Sequence, residues 1–286
     1  MRRNLLLVLG VLLIGVAAWL VDALELGPRA AFEEREGPRI DALLAGRAAL
    51  EASVLEARAG LQSNFDPINR ALAALRDTHA LAETLQVRGG ADAAVAERLA
   101  LAARALESEE PALEQFKTDL ALLRLSSHYF PLAADALMRR AEADGRRDRR
   151  SVLTGELATL AALRSDVERY EELPARDGLQ RLEHGLSKLQ TVRASLDDSA
   201  REELDVLSGH TRAIADRRER VDRFARALVR SPVRAQLEAA RAAHEHDARR
   251  HAWRVGALQV LSAALALAGV VVLASVVLSG VRGRAR

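Results

Sequence analysis

Two uncharged apolar stretches bracket this chain, at residues 5–21 and 255–281. Roughly 20 apolar residues carry a helix across a bilayer, so both ends have the length and composition of membrane spans. Arg2 and Arg3 precede the first stretch, and Arg282, Arg284 and Arg286 follow the second. Flanking cations collect on the cytoplasmic side, so both termini are expected there. The expected layout is a cytoplasmic N-terminus at 1–4, a transmembrane helix at 5–24 and an external domain at 25–252. A second transmembrane helix at 255–281 and a cytoplasmic tail at 282–286 complete it. Arg249, Arg250 and Arg254 fall on the outer side, but long domains translocate regardless of such charges. The exit from the first stretch, Trp19 to Leu24, lacks a small-x-small cleavage pattern, which favours an uncleaved anchor over a signal peptide. Trp19 and Trp253 fall where amphipathic rings prefer the outer interface.

The middle of the chain is rich in Ala, Leu, Arg and Glu and poor in aromatics, a composition suited to long helices. No strand-like alternation occurs, so an all-α fold is expected. Lys and Arg number 42 against 40 Asp and Glu, a net charge of +2 that gives no bulk field for nucleic acid. With no Cys there is neither a disulfide framework nor thiolate chemistry.

Prolines punctuate the external part. Gly27-Pro28 and Gly37-Pro38 predict a short exit linker and then a helix from Pro38 to about Gln62. Asp66-Pro67 predicts an N-cap and a first helical proline, with the helix ending at Gly89-Gly90. Along it Ile68, Leu72, Leu75, His79 and Ala82 step by four and three, so His79 is expected at a core or boundary position. The longest helix is predicted over 91–130. Its stripe is Leu99, Ala102, Leu106, Glu109, Leu113, Phe116, Leu120, Leu123, Ser127 and Phe130, with Pro111 as a possible kink and Pro131 as a restart. Leu153, Leu157, Leu160, Leu163, Val167 and Tyr170 continue the pattern, followed by a turn at Leu173-Pro174. Leu179, Leu182, Leu186 and Leu189 mark the next helix, and Asp197-Asp198-Ser199 the next turn and cap. Ser231-Pro232 opens a last helix running through Trp253 into the second apolar end. The pattern fits an elongated antiparallel helical bundle built as two stacked four-helix-bundle modules.

Two islands keep residue types that the rest of the chain avoids. Residues 115–131 hold Phe116 and Phe130 of five Phe, Tyr129 of two Tyr, and Lys117 of two Lys. Residues 64–69 hold the only Asn beyond Asn4, namely Asn64 and Asn69. The stretches NFDPINRALAALR (64–76) and EQFKTDLALLRLSSHYFP (114–131) resemble the DAHL domain, the double all-helical ligand-binding sensory module. The resemblance implies a sensory domain between two membrane helices, as at the N-terminus of bacterial sensor histidine kinases and related receptors. The chain departs from that pattern at Leu120 and Leu125, where family members often carry Asn; an apolar Leu120 implies a less polar pocket. It also runs only five residues past Val281, which leaves open the N-terminal part of a longer receptor or a sensor acting through a partner.

Lys117 and Arg124 are seven apart and share a helix face. With Ser127 and Tyr129 they make a candidate site for a small anionic or polar ligand. The plainer alternative pairs them with Asp119 and Glu114 along the surface. Asn64 and Asp66 suit a turn and a cap. Phe65 and Phe116 are core candidates that line an aromatic pocket if the Asn64 turn packs on them. His244, Asp247 and His251 share a face, yet Arg241, Arg249 and Arg250 surround them and disfavour a cation. No catalytic motif, metal-ligand set or cofactor loop is present in the sequence, so no enzyme and no cofactor is expected.

The expectation is a two-span sensor of the bacterial inner membrane, its main domain periplasmic. It would act in a two-component pathway with a histidine kinase or response regulator. Ligand or envelope-partner binding would shift the final helix across the bilayer. A homodimer is expected, with Ala264-x-x-x-Ala268 as a small-residue packing motif. The rival reading is a structural or adaptor protein with a helical periplasmic rod and no small ligand.

Overall fold

The computed structural model describes residues 2–88, 93–147 and 152–284. All its regular elements are helices: α1 (Arg2–Arg58), α2 (Asp66–Leu75), α3 (Asp77–Arg88), α4 (Ala93–Arg147), α5 (Val152–Gly155), α6 (Leu157–Glu172), α7 (Arg176–Val192), a 3₁₀ turn (Arg193–Ser195), α8 (Asp198–Val229) and α9 (Pro232–Arg284). The all-α expectation holds, with no strand among the described residues. The chain forms two compact units. One contains residues 1–48, 70–104 and 232–286, the other residues 49–69 and 105–231.

Several helices are longer than their prolines suggested. α1 runs through Gly27-Pro28 and Gly37-Pro38 with no linker. A proline removes one hydrogen bond and costs about 3 kcal/mol in a helix interior. Burial of Ile40, Leu43 and Leu50 on one face of α1 works against that cost. Gly37 has a packing role instead: a Cβ there would lie 3.2 Å from His244 Nε2 on α9. α4 likewise passes through Pro111 and Pro131. Its buried face continues in step beyond Pro131 as Ala134, Leu137 and Ala141, so packing holds both sides of the proline in one helix. The predicted stripe itself is buried from Leu99 to Phe130, apart from half-buried Glu109 and Ser127.

α1 ends at Arg58, short of Gln62. Gly60 adopts φ 77°, the left-handed region that suits a residue without Cβ. It reverses the chain so that Leu61 N donates to Glu56 O at 2.9 Å and Gly60 N to Ala57 O at 3.1 Å. The helix predicted from Asp66 is two helices, broken at Arg76, with Thr78 Oγ1 donating to Leu75 O at 2.6 Å. The buried face past the break is Thr78, Leu81, Ala82 and Leu85. His79 therefore points outward, 3.2 Å from Glu83, a correction to its expected place on the stripe. The N-terminus of α2 also shifts by one. Phe65 O accepts from Asn69 N, and Asn64 Oδ1, not Asp66, accepts a capping bond, from Asp66 N at 3.3 Å. Gly89-Gly90 lies outside the described residues.

The unit containing residues 105–231 packs α4, α6, α7 and α8 around Phe116, Phe130, Leu163, Leu186, Ile214 and Val221. Asp197 caps α8 as predicted, accepting from Ala200 N at 2.8 Å. Three carboxylates are buried in this unit, Glu51, Asp119 and Asp222. Asp222 takes Arg58 Nε at 2.6 Å, and Asp119 takes Arg217, with Arg220 at 3.9 Å. The Asp222 hydrogen bond raises the Arg58 pKa against the opposing effect of burial. In the other unit Ile40, Leu75, Leu99 and Leu237 are fully buried, and Arg241 pairs with Asp41.

Candidate functional site

The two sequence islands meet. α4 carries Lys117 and Arg124, and the turn between α1 and α2 lies against that face. Lys117 Nζ donates to Asn69 Oδ1 at 3.0 Å and pairs with Glu114 at 2.6 Å. Arg124 donates through Nη2 to Ala57 O at 2.7 Å and Gln62 O at 2.6 Å, and through Nη1 to Ser63 O at 3.4 Å. Its guanidinium stands 5.8 Å from the centre of the Phe65 ring. Helix ends leave carbonyls without intrahelical partners, and Arg124 satisfies one of them at the end of α1. Burial pushes the Arg124 pKa down. Lys117, Arg124, Asn64 and Phe65 thus form a strap that fixes the turn on α4, each with a protein partner.

The other three predicted residues turn elsewhere. Phe116 is 1 % exposed and packs on Phe224 with ring centres 5.0 Å apart, inside the core. Ser127 donates to Glu171 at the α6 end. Tyr129 is 45 % exposed and stacks on His210 of α8 at 6.1 Å, with His128 edge-on at 5.1 Å. Leu120 is buried, so it is core, whereas Leu125 is exposed. The Glu114 pairing of Lys117 matches the plainer alternative, while Asp119 serves Arg217 instead.

A polar concavity that the sequence did not single out lies between α6 and α7. Its volume is about 600 Å³. α7 lines it with Asp177, Arg181, His184 and Lys188, residues spaced four, three and four apart on one face. Ala158, Thr159 and Ala162 of α6 form the opposite wall. Gly185 lets the helices close over Leu163: a Cβ there would stand 3.2 Å from Leu163 Cδ1. Arg181 bridges Asp166 and Asp177, each at 3.0 Å. The Arg181 hydrogen bond holds the Asp177 carboxyl below its usual range. Among the described residues no hydrogen bond or ion pair engages the Lys188 ammonium or the His184 ring. Lys188 is the second of the two lysines, so the rarity that drew attention to Lys117 applies equally here.

A second cleft of about 540 Å³ lies between the apolar ends, lined by Val11, Leu12, Trp19, Leu265, Gly269 and Val270. A Cβ on Gly269 would lie 3.5 Å from Val11 Cγ1, so the two ends run side by side. Among the described residues one candidate membrane span qualifies by length and composition, a window of mean hydropathy 1.7 within Asp198–Val271, none of it buried. No group of three or more His, Cys, Asp or Glu able to hold a metal ion is found among them.

A family model described as the DAHL domain matches residues 39–252. No curated protein and no solved structure matches the chain.

Proposed function

The chain belongs to the DAHL domain family, and from that premise we propose that it is a two-span inner-membrane sensor whose periplasmic helical domain reads a small ligand or an envelope partner. The observation that carries this reading is the continuity of α9. One helix, Pro232–Arg284, holds domain core residues Val233, Leu237 and Ala240 and then the apolar stretch at 255–281. A displacement of its first half is carried to its second half without an intervening loop. α1 makes the same connection at the other end, and the apolar halves of the two helices are neighbours. Trp19 and Trp253 stand at the domain-side ends of the two apolar stretches, where amphipathic rings favour a headgroup boundary. The cationic ends favour both termini in the cytoplasm.

Signalling in this reading needs two helix arrangements of nearly equal energy that a ligand binds unequally. The output is a small shift or rotation of α9, delivered to a kinase or response regulator across a homodimer. No step of the scheme asks this domain for bond-making chemistry.

The absence of Cys makes the topology directly testable. A single cysteine at the exposed Arg230 is expected to react with a membrane-impermeant maleimide in spheroplasts, whereas one at Arg282 reacts only after lysis. Labelling in the reverse order would sink the two-span arrangement. For the sensory step, a spin label on α9 is expected to move on ligand binding to the full chain in nanodiscs.

A further inference from the structure

We propose that the α6–α7 groove binds a small carboxylate with a short apolar body. The Lys188 ammonium and the His184 ring take the carboxylate, and Ala158, Ala162 and Leu163 lie beneath the apolar part. This names a ligand class for the sensory reading and rests on that reading only for the consequence of binding.

The argument starts from which charges are already used. Arg181 donates to both Asp166 and Asp177, and Arg169 stands 4.0 Å from Asp166, so the two acids are matched by two guanidiniums at one end of the groove. At the other end Lys188 and His184 stand one helical turn apart, and no partner among the described residues claims them. A groove whose acids are neutralised and whose unspent titratable groups are a cation and an imidazole favours an anion over a cation. The wall between is apolar apart from Thr159. Ala158 and Ala162 repeat at i and i+4 on α6, and Gly185 faces Leu163. Small side chains at these three positions leave the space; larger ones would fill it. A bare anion would gain nothing from this wall, and an uncharged apolar molecule nothing from Lys188. A volume of about 600 Å³ is in the range of small-molecule sites. The composition adds weight: in a chain with 42 basic residues of which only two are Lys, one stands here with its ammonium unspent. A compact ammonium on a flexible stem adapts to a carboxylate without the fixed fork geometry of a guanidinium.

The test uses the full chain in nanodiscs and three probes: benzoate, acetate and benzyl alcohol. Calorimetric titration is expected to show saturable benzoate binding, with acetate and benzyl alcohol each at least about ten-fold weaker. Lys188→Ala is expected to weaken benzoate by about ten-fold or more, and Ala162→Phe to abolish it by filling the groove. Both positions are exposed, so circular dichroism should report an unchanged fold. Acetate or benzyl alcohol binding as well as benzoate, or benzoate binding indifferent to both substitutions, overturns the proposal, as does the absence of benzoate binding. Benzoate that saturates the groove while the α9 label stays still counts against the sensory reading alone.

Discussion

The strap at the α1–α2 turn and the groove between α6 and α7 are built from similar residues to opposite ends. Each has a lysine, an arginine and a close helix approach. At the strap every polar head is consumed by the protein: Lys117 by Asn69 and Glu114, Arg124 by three backbone carbonyls. In the groove Arg181 is consumed, but Lys188 and His184 are not. A cation that closes a turn is a fold determinant. One left unspent beside a small-residue wall is available to something outside the chain.

The largest effect is expected at the strap. Arg124→Ala removes charge-assisted bonds to Ala57 O and Gln62 O and a longer one to Ser63 O, and uncovers Phe65. Net values of about 1.5 kcal/mol for each of the two short bonds give a loss near 3 kcal/mol in urea unfolding of the full chain. Arg124→Lys would recover only part, since one ammonium cannot span these carbonyls. A loss below about 0.5 kcal/mol, the range of an ordinary surface change, would remove the distinction between strap and groove.

Gly185→Ala comes next and probes the groove. Its Cβ would press on Leu163, itself 1 % exposed. Overpacking of this kind costs about 1.5 kcal/mol and would narrow the cavity. Parallel measurement of unfolding and benzoate titration should show both effects together. A stability loss with full binding would place the site elsewhere.

A smaller change, about 1 kcal/mol, is expected for Gly60→Ala, because a Cβ at φ 77° is strained even where space is open. If urea unfolding shows no loss, the reversal after α1 does not depend on this glycine and the strap alone sets the turn.

How much of this was legible in sequence depended on whether the partner was local. The stripe of α4 and the starts of α8 and α9 were readable because spacing and caps act within a few residues. That the islands at 64–69 and 115–131 belong together was readable only as a resemblance. Their hydrogen bond, Lys117 to Asn69, joins residues 48 apart, and rarity says that a residue is needed, not what it touches. Gly37 was misread for the same reason. Its partner, His244, is distant in sequence, so a packing glycine looked like a helix breaker. The groove was missed although Lys188 is as rare as Lys117. Alanines at 158 and 162 carry no signal in a chain so rich in Ala, and the cavity exists only once α7 lies beside α6.

The smallest effect separates the regions by pH. Arg124 of the strap binds backbone carbonyls, which do not titrate in this range. The α7–α8 side is pinned through carboxylates held below their usual range: Asp177 by the Arg181 side chain, Asp197 by Ala200 N–H and Arg140, and Asp205 by Arg193. A depressed folded pKa means that the folded chain binds fewer protons than the unfolded one near pH 4. The stability these groups add is therefore complete above the ordinary Asp value of about 3.9 and is lost as pH falls through the lower folded values. Asp197→Asn isolates the charge, because Asn still caps α8. Its unfolding midpoint should lie slightly below the parent's at pH 7, the two converging as pH drops below about 3.9. The gap between Arg124→Ala and the parent should persist over the same range. Its closing in acid would mean that Arg124 is held by a carboxylate and that strap and groove rest on the same kind of contact.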